Sequence, residues 1–438
     1  MLAELFRQKG WRVVASDEAA DVVVVNSCTV TARSEAKVRQ AVRRIARQNP
    51  RSAIAVVGCA AQLAPGAYRE LPNVRWVFGV DSKFELIDWV DRCETVRTDP
   101  EERSYHSPAA ARLGSRTRAF VKIQDGCRFR CSYCAVPLAR GRSRSAPPEV
   151  VLRQVRELVE RGCREVVLTG VDIGSYGLDL QPKRSLAWLL CQLAEVASGC
   201  RVRLSSVEPT ELTDELIRTV AEPPWVCNHW HVPLQSGSDR VLRAMRRPYT
   251  SAAFLKRIER LLDAFDKTGL GTDVIVGFPG ESEEDFSRTL ELFERIPFTY
   301  AHVFPYSPRP GTAAAALQDD VPKSVKEDRS RALRELATRK KREFLSRFVG
   351  SEVVVLVEGR HRLGQLTGLT EHYARVVFDG PAGLANQFVT LRIESVVDDV
   401  LRGRLLSAPK GHLSAQGPGS LAGGEQISSA ARKVRAQP

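Results

Sequence analysis

The sequence lacks the features that mark membrane and secreted proteins. No apolar run approaches the ~20 residues that a helix needs to span a bilayer. Residues 1–11 are amphipathic and lack the apolar core of a secretory signal peptide. No second C-x2-C pair follows the one at Cys131 and Cys134, which argues against a structural zinc site. We therefore expect a cytoplasmic protein with no membrane partner and no disulfide framework.

The composition indicates a polyanionic partner. Among 438 residues, 43% are hydrophobic, enough for proper cores in two or three domains. The net charge is +13 and the pI is about 9.4, so nucleic acid is the first candidate partner. On charge alone, an ordinary basic soluble protein fits the composition equally well. Arg140, Arg142 and Arg144 form a basic cluster, and we interpret them as candidate RNA-binding residues.

The most informative feature is a triplet of closely spaced cysteines. Cys127, Cys131 and Cys134 form the pattern C-x3-C-x2-C, and cysteine thiolates are the usual ligands of iron–sulfur clusters. Three ligands would leave one iron of a four-iron cubane open to the amino and carboxylate groups of a small molecule. A disulfide with a spare thiol is disfavoured in an intracellular chain. On the triplet alone, a cluster site and simpler uses of the cysteines both remain open.

The order of predicted elements divides the chain into five segments. Residues 1–94 alternate helix and strand, as in a small α/β domain with a parallel sheet. After a polar linker at 95–112, repeated βα units over 113–343 predict a full or partial barrel, which binds ligands at the carboxyl ends of its strands. Five short strands within 346–405 predict a small OB-like β-barrel, a common nucleic-acid platform. The Gly-, Ser- and Ala-rich segment 406–438 is expected to be disordered.

Two further cysteines follow predicted strands of the first segment. Cys28 comes after a run of four valines, and Cys59 comes after another buried strand. Adjacent parallel strands would bring both cysteines to the same edge of the sheet, where ligands gather. From position alone, two ordinary core cysteines are the simpler interpretation.

Several stretches of the sequence resemble the radical S-adenosylmethionine (SAM) methylthiotransferase family. They are residues 26–31, 58–62, 124–127, 131–134, 140–145, 203–209, 231–238 and 273–281. The C-terminal barrel is similar to the TRAM domain, an RNA-binding module, and the resemblance runs from residue 1 to about 405. It implies an α/β fold: a small parallel-sheet domain without its first strand, a partial (β/α) radical SAM barrel, and a small C-terminal β-barrel.

The resemblance also implies two cofactor sites. Cys127, Cys131 and Cys134 would hold a [4Fe–4S] cluster that binds SAM, and no catalytic side chain is assigned beyond these ligands. The residues implied for the SAM pocket are Tyr133, Gly170, Ser206, Glu208 and Gln235. Cys28 and Cys59 would hold an auxiliary [4Fe–4S] cluster together with a third cysteine, which in the family lies on a strand before the first helix. No such strand precedes the first predicted helix, so we expect a mis-assigned start or a truncated gene.

The resemblance implies a reaction and a substrate. In the family, an electron from the SAM cluster cleaves SAM to a 5′-deoxyadenosyl radical, the auxiliary cluster supplies sulfur, and a second SAM supplies the methyl group. Residues 124–127 and 137–145 look most like the branch that modifies N6-threonylcarbamoyladenosine at tRNA position 37, and residues 26–31 and 302–307 point the same way. The isopentenyladenosine branch, the branch for a ribosomal-protein aspartate, and a degenerate RNA-binding relic are the alternatives. We expect a monomer that binds the tRNA anticodon stem-loop and a reducing electron donor.

Overall fold

The computed structural model describes most of the chain. The described residues are 2–15, 18–29, 31–90, 117–360, 364–407 and 433–437. The linker predicted at 95–112 lies outside them. Within these ranges, no helix is long and apolar enough to cross a membrane.

The N-terminal domain alternates helices with parallel strands. Its elements are α1 (Leu2–Gln8), β1 (Arg12–Val13), β2 (Val22–Ser27), α2 (Ala32–Gln48), β3 (Ala53–Gly58), α3 (Cys59–Leu63), α4 (Gly66–Arg69), β4 (Val74–Phe78) and α5 (Leu86–Trp89). The four successive valines of β2 are all buried, because α2 covers one face of the sheet and α1 and α5 cover the other. The N-cap of α2 is Thr31, whose side chain accepts a hydrogen bond from the backbone N–H of Ser34.

The central domain is a partial barrel of parallel strands. Its elements are β5 (Arg118–Lys122), β6 (Gln124–Asp125), α6 (Val136–Arg140), β7 (Arg144–Ser145), α7 (Pro148–Glu160), β8 (Glu165–Thr169), α8 (Leu186–Leu193), β9 (Arg201–Leu204), α9 (Asp214–Ala221), β10 (His229–His231), α10 (Asp239–Ala244), α11 (Ser251–Asp263), β11 (Gly269–Val276), α12 (Glu283–Arg295), β12 (Tyr300–Pro305) and α13 (Lys323–Ser346). Two parallel sheets, β5-β8-β9 and β10-β11-β12, are joined by a bridge between Ser206 and His231. The carboxyl ends of all six strands therefore open on one side.

A small closed β-barrel follows α13, as the sequence predicts. Its strands are β13 (Glu352–Arg360), β14 (Leu366–Thr370), β15 (Arg375–Phe378), β16 (Phe388–Val397) and β17 (Val400–Ser407). They close in the order β13-β14-β15-β17-β16. The interior contains alternate, fully buried side chains such as Val355, Leu391 and Leu401, so closure both fills a core and removes exposed strand edges.

A buried ionic network fastens this β-barrel to the central domain. Glu165, at the start of β8, is fully buried and accepts hydrogen bonds from Arg201 at 2.6 Å and Arg203 at 2.9 Å. The same two arginines donate to the backbone carbonyls of Leu369 and Glu371 at 2.9 and 2.7 Å. The β-barrel therefore packs against the amino ends of the central strands, at the end opposite the cysteine loop.

The C-terminal segment corrects one expectation from the sequence. The strand β18 (Lys433–Gln437) pairs in parallel with β1 on one side and β2 on the other. It completes a five-stranded sheet in the order β1-β18-β2-β3-β4. The prediction that 406–438 is disordered is therefore wrong for these five residues. The physical reason is pairing: the backbone N–H of Val14 donates to the carbonyl of Val434, and that of Asp21 to the carbonyl of Lys433.

The contribution of β18 can be tested at its buried valine. We expect Val434→Asp to lower the stability of the N-terminal sheet by about 2 kcal/mol or more, because a carboxylate would replace a side chain that is 1% exposed. Thermal unfolding of the full chain, followed by circular dichroism, measures the change. Val397→Asp is the matched control, since Val397 is 43% exposed. Equal unfolding temperatures for the two variants would contradict a stabilising role of β18.

Candidate metal centre and cofactor site

The three cysteines of the triplet line one cavity. Cys127 follows β6, and Cys131 and Cys134 lie in the loop before α6. The loop turns at Gly126, which has a φ of +73°, and a Cβ there would lie 1.9 Å from the carbonyl oxygen of Arg142. The cavity has a volume of about 1340 Å³. Three sulfurs around one cavity, beside the carboxyl ends of parallel strands, form the kind of donor set that binds an iron–sulfur cluster.

The protein environment favours protonated thiols at two of these cysteines. Burial raises the pKa of Cys134 to about 11. Burial also raises the pKa of Cys127, and the Asp172 carboxylate, 4.0 Å from the sulfur, raises that pKa further. The Cys131 sulfur accepts a hydrogen bond from Arg247 at 3.1 Å. Metal binding must therefore displace protons from Cys127 and Cys134, and its affinity should increase with pH.

The residues predicted for the SAM pocket lie close to the cysteine loop. Gly170 follows β8, Ser206 and Glu208 follow β9, and Gln235 follows β10. These four residues follow the carboxyl ends of three strands, as a barrel site requires. Tyr133 and Gln235 line a second, smaller cavity of about 150 Å³ that also reaches Cys134. Contact of these residues with SAM stays a prediction.

Arg247 connects the cysteine loop to the predicted SAM pocket. Its guanidinium forms an ion pair with Glu208 in addition to its contact with Cys131. Burial raises the pKa of Glu208, and Arg247 opposes that rise. No sequence pattern singled out Arg247, because it follows helix α10 and not a strand.

Gln235 adopts an uncommon backbone conformation at the smaller cavity. Its φ is +62° and it is 8% exposed. Non-glycine residues in this region carry strain, and such strain concentrates at functional sites. Two hydrogen bonds hold the conformation: the Gln235 N–H donates to the carbonyl of Asp273 at 2.8 Å, and its carbonyl accepts from the N–H of Ile275 at 2.9 Å.

Asp273 and Arg309 also line the smaller cavity, although the sequence analysis assigned neither. The Asp273 carboxylate lies 3.1 Å from Nε2 of His231. Arg309 pairs with Glu35 of α2, and its buried Nε has no hydrogen-bond partner among the described residues. A signal was available for both residues, since Asp273 opens the stretch 273–281 and Arg309 follows the carboxyl end of β12.

Cys28 and Cys59 lie side by side at the edge of the N-terminal sheet. Cys28 follows β2, Cys59 begins α3, and the register pairs Ser27 with Gly58. The Cys59 sulfur accepts a hydrogen bond from Nε of Arg140 at 3.2 Å. This edge therefore faces the cysteine loop of the central domain, whereas the role of the two cysteines as cluster ligands stays a prediction.

Two of the three arginines predicted to bind RNA are engaged within the protein. Arg140 pairs with Asp125 at 2.8 Å. Arg144 lies 3.8 Å from the Asp81 carboxylate and 3.9 Å from that of Asp125. Arg142 is exposed and lines the larger cavity. The contacts of Arg140 with Cys59 and of Arg144 with Asp81 join the N-terminal and central domains. The predicted RNA contacts of all three arginines remain to be tested.

Three family matches agree with this architecture. The Radical SAM superfamily matches residues 121–293, and the TRAM domain matches residues 346–406. Residues 1–79 match a family described as Uncharacterized protein family UPF0004. A three-cysteine cavity on a partial barrel, joined to a TRAM domain, defines a radical SAM enzyme.

Curated relatives show which kind of radical SAM enzyme the chain resembles. The chain is 36% identical over 402 residues to the threonylcarbamoyladenosine tRNA methylthiotransferase MtaB of Bacillus subtilis, with 89% of each chain covered. It is 37% identical to the enzyme of the same name from Thermotoga maritima, with 91% of each covered. It is 39% identical to the tRNA-2-methylthio-N(6)-dimethylallyladenosine synthase of Syntrophotalea carbinolica, over 89% of this chain and 92% of that one. The chain belongs to the tRNA methylthiotransferase family and is an enzyme of that type.

A solved structure supports the fold assignment. TsrM from Kitasatospora setae, a radical S-adenosylmethionine methyltransferase, superposes with a TM-score of 0.52 at 15% identity. The match covers 72% of this chain and 66% of that chain, and it confirms the radical SAM fold. Family membership implies a [4Fe–4S] cluster and SAM, and the three-cysteine cavity has the donor set that such a cluster requires.

Proposed function

We propose that this enzyme converts N6-threonylcarbamoyladenosine at position 37 of tRNA into its 2-methylthio derivative. The observation that carries the proposal is the three-cysteine cavity at the open end of the barrel, in a chain that also contains a TRAM domain. Two relatives named for threonylcarbamoyladenosine are 36% and 37% identical to about nine tenths of the chain.

The residues of the two cavities have distinct tasks in this proposal. Cys127, Cys131 and Cys134 would hold the cluster, which supplies one electron for the reductive cleavage of SAM to a 5′-deoxyadenosyl radical. Tyr133 and Gln235 line the smaller cavity beside this loop, where they would contact SAM or the adenine base. The two backbone hydrogen bonds of Gln235 hold its main chain in place at this cavity, so the backbone would need no further ordering when a ligand binds.

Arg309 favours a substrate that carries an acidic group. Its Nε is buried at the smaller cavity with no hydrogen-bond partner in the described part of the chain, and an unsatisfied buried donor is costly. The threonylcarbamoyl group ends in a carboxylate, which would accept this hydrogen bond. An isopentenyl group offers no acceptor. This contrast supports the choice of the threonylcarbamoyl branch.

We also propose that Cys28 and Cys59 bind an auxiliary cluster that supplies sulfur. They lie side by side at a sheet edge that faces the central domain. The third ligand that the family resemblance implies is not identified among the described residues. The auxiliary site is therefore proposed from two ligands, and no step of the reaction is derived from it.

Nucleoside analysis of a deletion strain tests the proposed substrate. We expect liquid chromatography and mass spectrometry of its tRNA to show loss of 2-methylthio-N6-threonylcarbamoyladenosine. A gene copy with Cys191→Ala should restore the nucleoside, because Cys191 is exposed on α8, and a copy with Cys131→Ala should not. Loss of the isopentenyl nucleoside instead would establish the second candidate, which the 39% identical synthase favours. Unchanged tRNA nucleosides would contradict both.

Other expectations from the sequence remain proposals. They are the cytoplasmic location, the monomeric state, the reducing electron donor and the segment limits near residues 94, 112, 343 and 405. The strands of the β-barrel run from Glu352 to Ser407, close to the predicted limits of the fourth segment.

A further inference from the structure

A long groove lies between the first and second domains, outside the cofactor site. It has a volume of about 1640 Å³ and is lined by one side of α2 and by the length of α13. Its cationic side chains are Arg33, Lys37, Arg331, Arg334, Arg339 and Arg342. Its carboxylates are Glu327, Glu335 and Glu343. Arg331, Arg339 and Arg342 pair with Asp328, Glu343 and Asp399. The positive character of this α2–α13 groove therefore depends on Arg33, Lys37 and Arg334.

The cations on the α2 side are available to a ligand. Arg33 and Lys37 are exposed, and within the described residues neither lies within 4 Å of a carboxylate. Across the groove, Arg334 donates to the backbone carbonyl of Val303 at 3.0 Å, and no carboxylate among the described residues pairs with it. By contrast, Arg339 pairs with Glu343 at 2.9 Å. The excess positive charge is therefore concentrated where Arg33, Lys37 and Arg334 face each other.

The groove connects the two ends of the enzyme. At one end it shares Thr31, Phe304, Tyr306 and Ser307 with the smaller cavity beside the cysteine loop. The helix α13 has 24 residues and is therefore about 36 Å long. At its other end, Arg342 donates to Asp399, in the turn between β16 and β17, at 2.6 Å. The groove thus runs from the candidate site to the TRAM barrel, which packs at the opposite end of the central strands.

We propose that the α2–α13 groove binds the phosphate backbone of the anticodon stem-loop between the TRAM barrel and the smaller cavity. Arginine and lysine that lack carboxylate partners are the usual ligands of phosphate oxygens. Phe304, which is partly exposed at the inner end, offers a ring of the kind on which unpaired bases stack. The inference rests on the proposed function only in that the substrate is RNA, and it holds for either modified adenosine.

Binding measurements with paired double variants test the groove. Fluorescence anisotropy of a labelled, unmodified anticodon stem-loop gives the affinity of the full chain over a series of salt concentrations. We expect Arg33→Ala with Lys37→Ala to weaken binding by about tenfold and to reduce the slope of log K against log salt by roughly 1.5, as for two lost phosphate contacts. Arg43→Ala with Arg47→Ala removes the same charge from exposed positions of α2 that do not line the groove, and it should change the affinity less than threefold.

Each result has a defined meaning. Wild-type affinity in the Arg33/Lys37 variant, or equal losses in both double variants, would overturn the groove as a docking surface. Arg334→Gln, on the facing helix α13, should also weaken binding of the stem-loop. This variant provides an independent test if the Arg33/Lys37 double variant unfolds at a lower temperature than the wild type. Failure of the wild-type chain to bind any stem-loop would overturn the groove and the proposed function together. If binding depends on the groove but the deletion strain loses a different nucleoside, only the proposed substrate is overturned.

Discussion

Replacement of Cys131 by alanine is expected to abolish the reductive cleavage of SAM. The three cysteines of the triplet line one cavity, and a cubane that leaves one iron open for SAM requires all three thiolates. The Cys131 sulfur is also the one that Arg247 contacts at 3.1 Å, so its loss would leave a buried guanidinium donor without a partner. Formation of 5′-deoxyadenosine by the anaerobically reconstituted enzyme, with a chemical reductant, measures the effect.

Binding of the anticodon stem-loop should survive this substitution. Cys131 lies in the larger cavity, apart from the α2–α13 groove and from the TRAM barrel. Cys191→Ala is the matched control, since Cys191 is exposed on α8, and it should retain SAM cleavage. Continued production of 5′-deoxyadenosine by Cys131→Ala would contradict the ligand assignment. Iron analysis of the same wild-type preparation decides the auxiliary site: about eight irons indicate two cubanes, and about four indicate the SAM cluster alone.

Replacement of Glu165 by alanine is expected to cost about 3–5 kcal/mol of stability. This carboxylate is fully buried and neutralises Arg201 and Arg203, which in turn hold the TRAM barrel through backbone carbonyls. Without Glu165, two buried guanidinium groups would lose their counterion. Thermal and denaturant unfolding should show an early transition in the variant. Glu195→Ala, at an exposed position after α8, is the control that should unfold with the wild type.

The stabilising effect of Glu165 should also depend on pH. The arginines Arg203 and Arg201 oppose the effect of burial and lower the pKa of Glu165 from 4.5 to about 2. A carboxyl group whose pKa is lower in the folded state stabilises the fold above its unfolded pKa and loses that effect as the pH falls through the folded value. The difference in stability between wild type and Glu165→Ala should therefore be full above about pH 4.5 and shrink towards pH 2. A constant difference across this interval would contradict the role of the charged form.

Local sequence patterns predicted most of the elements and brought attention to the three cysteines that line one cavity. The run of four valines predicted β2, and five short β-rich segments predicted the closed barrel, and the structure contains both. The positions after β2 and β3 correctly placed Cys28 beside Cys59. The prediction of disorder is wrong for residues 433–437, although the local composition favours disorder. The strands that pair with this segment are more than 400 positions away in the sequence. For example, the Lys433 N–H donates to Asp21, 412 residues away.

The sequence by itself determined that the three proposed ligands of the SAM cluster lie together, because Cys127, Cys131 and Cys134 fall within a span of eight residues. A loop of this length can surround one cluster independently of the fold of the rest of the chain. Only the tertiary structure decided which residues surround that loop. Arg247 reaches Cys131 across 116 positions and Arg309 reaches Glu35 across 274, and the α2–α13 groove exists only where two domains pack together. Such contacts are selected by burial and charge compensation between distant segments, and no local spacing in the sequence encodes them.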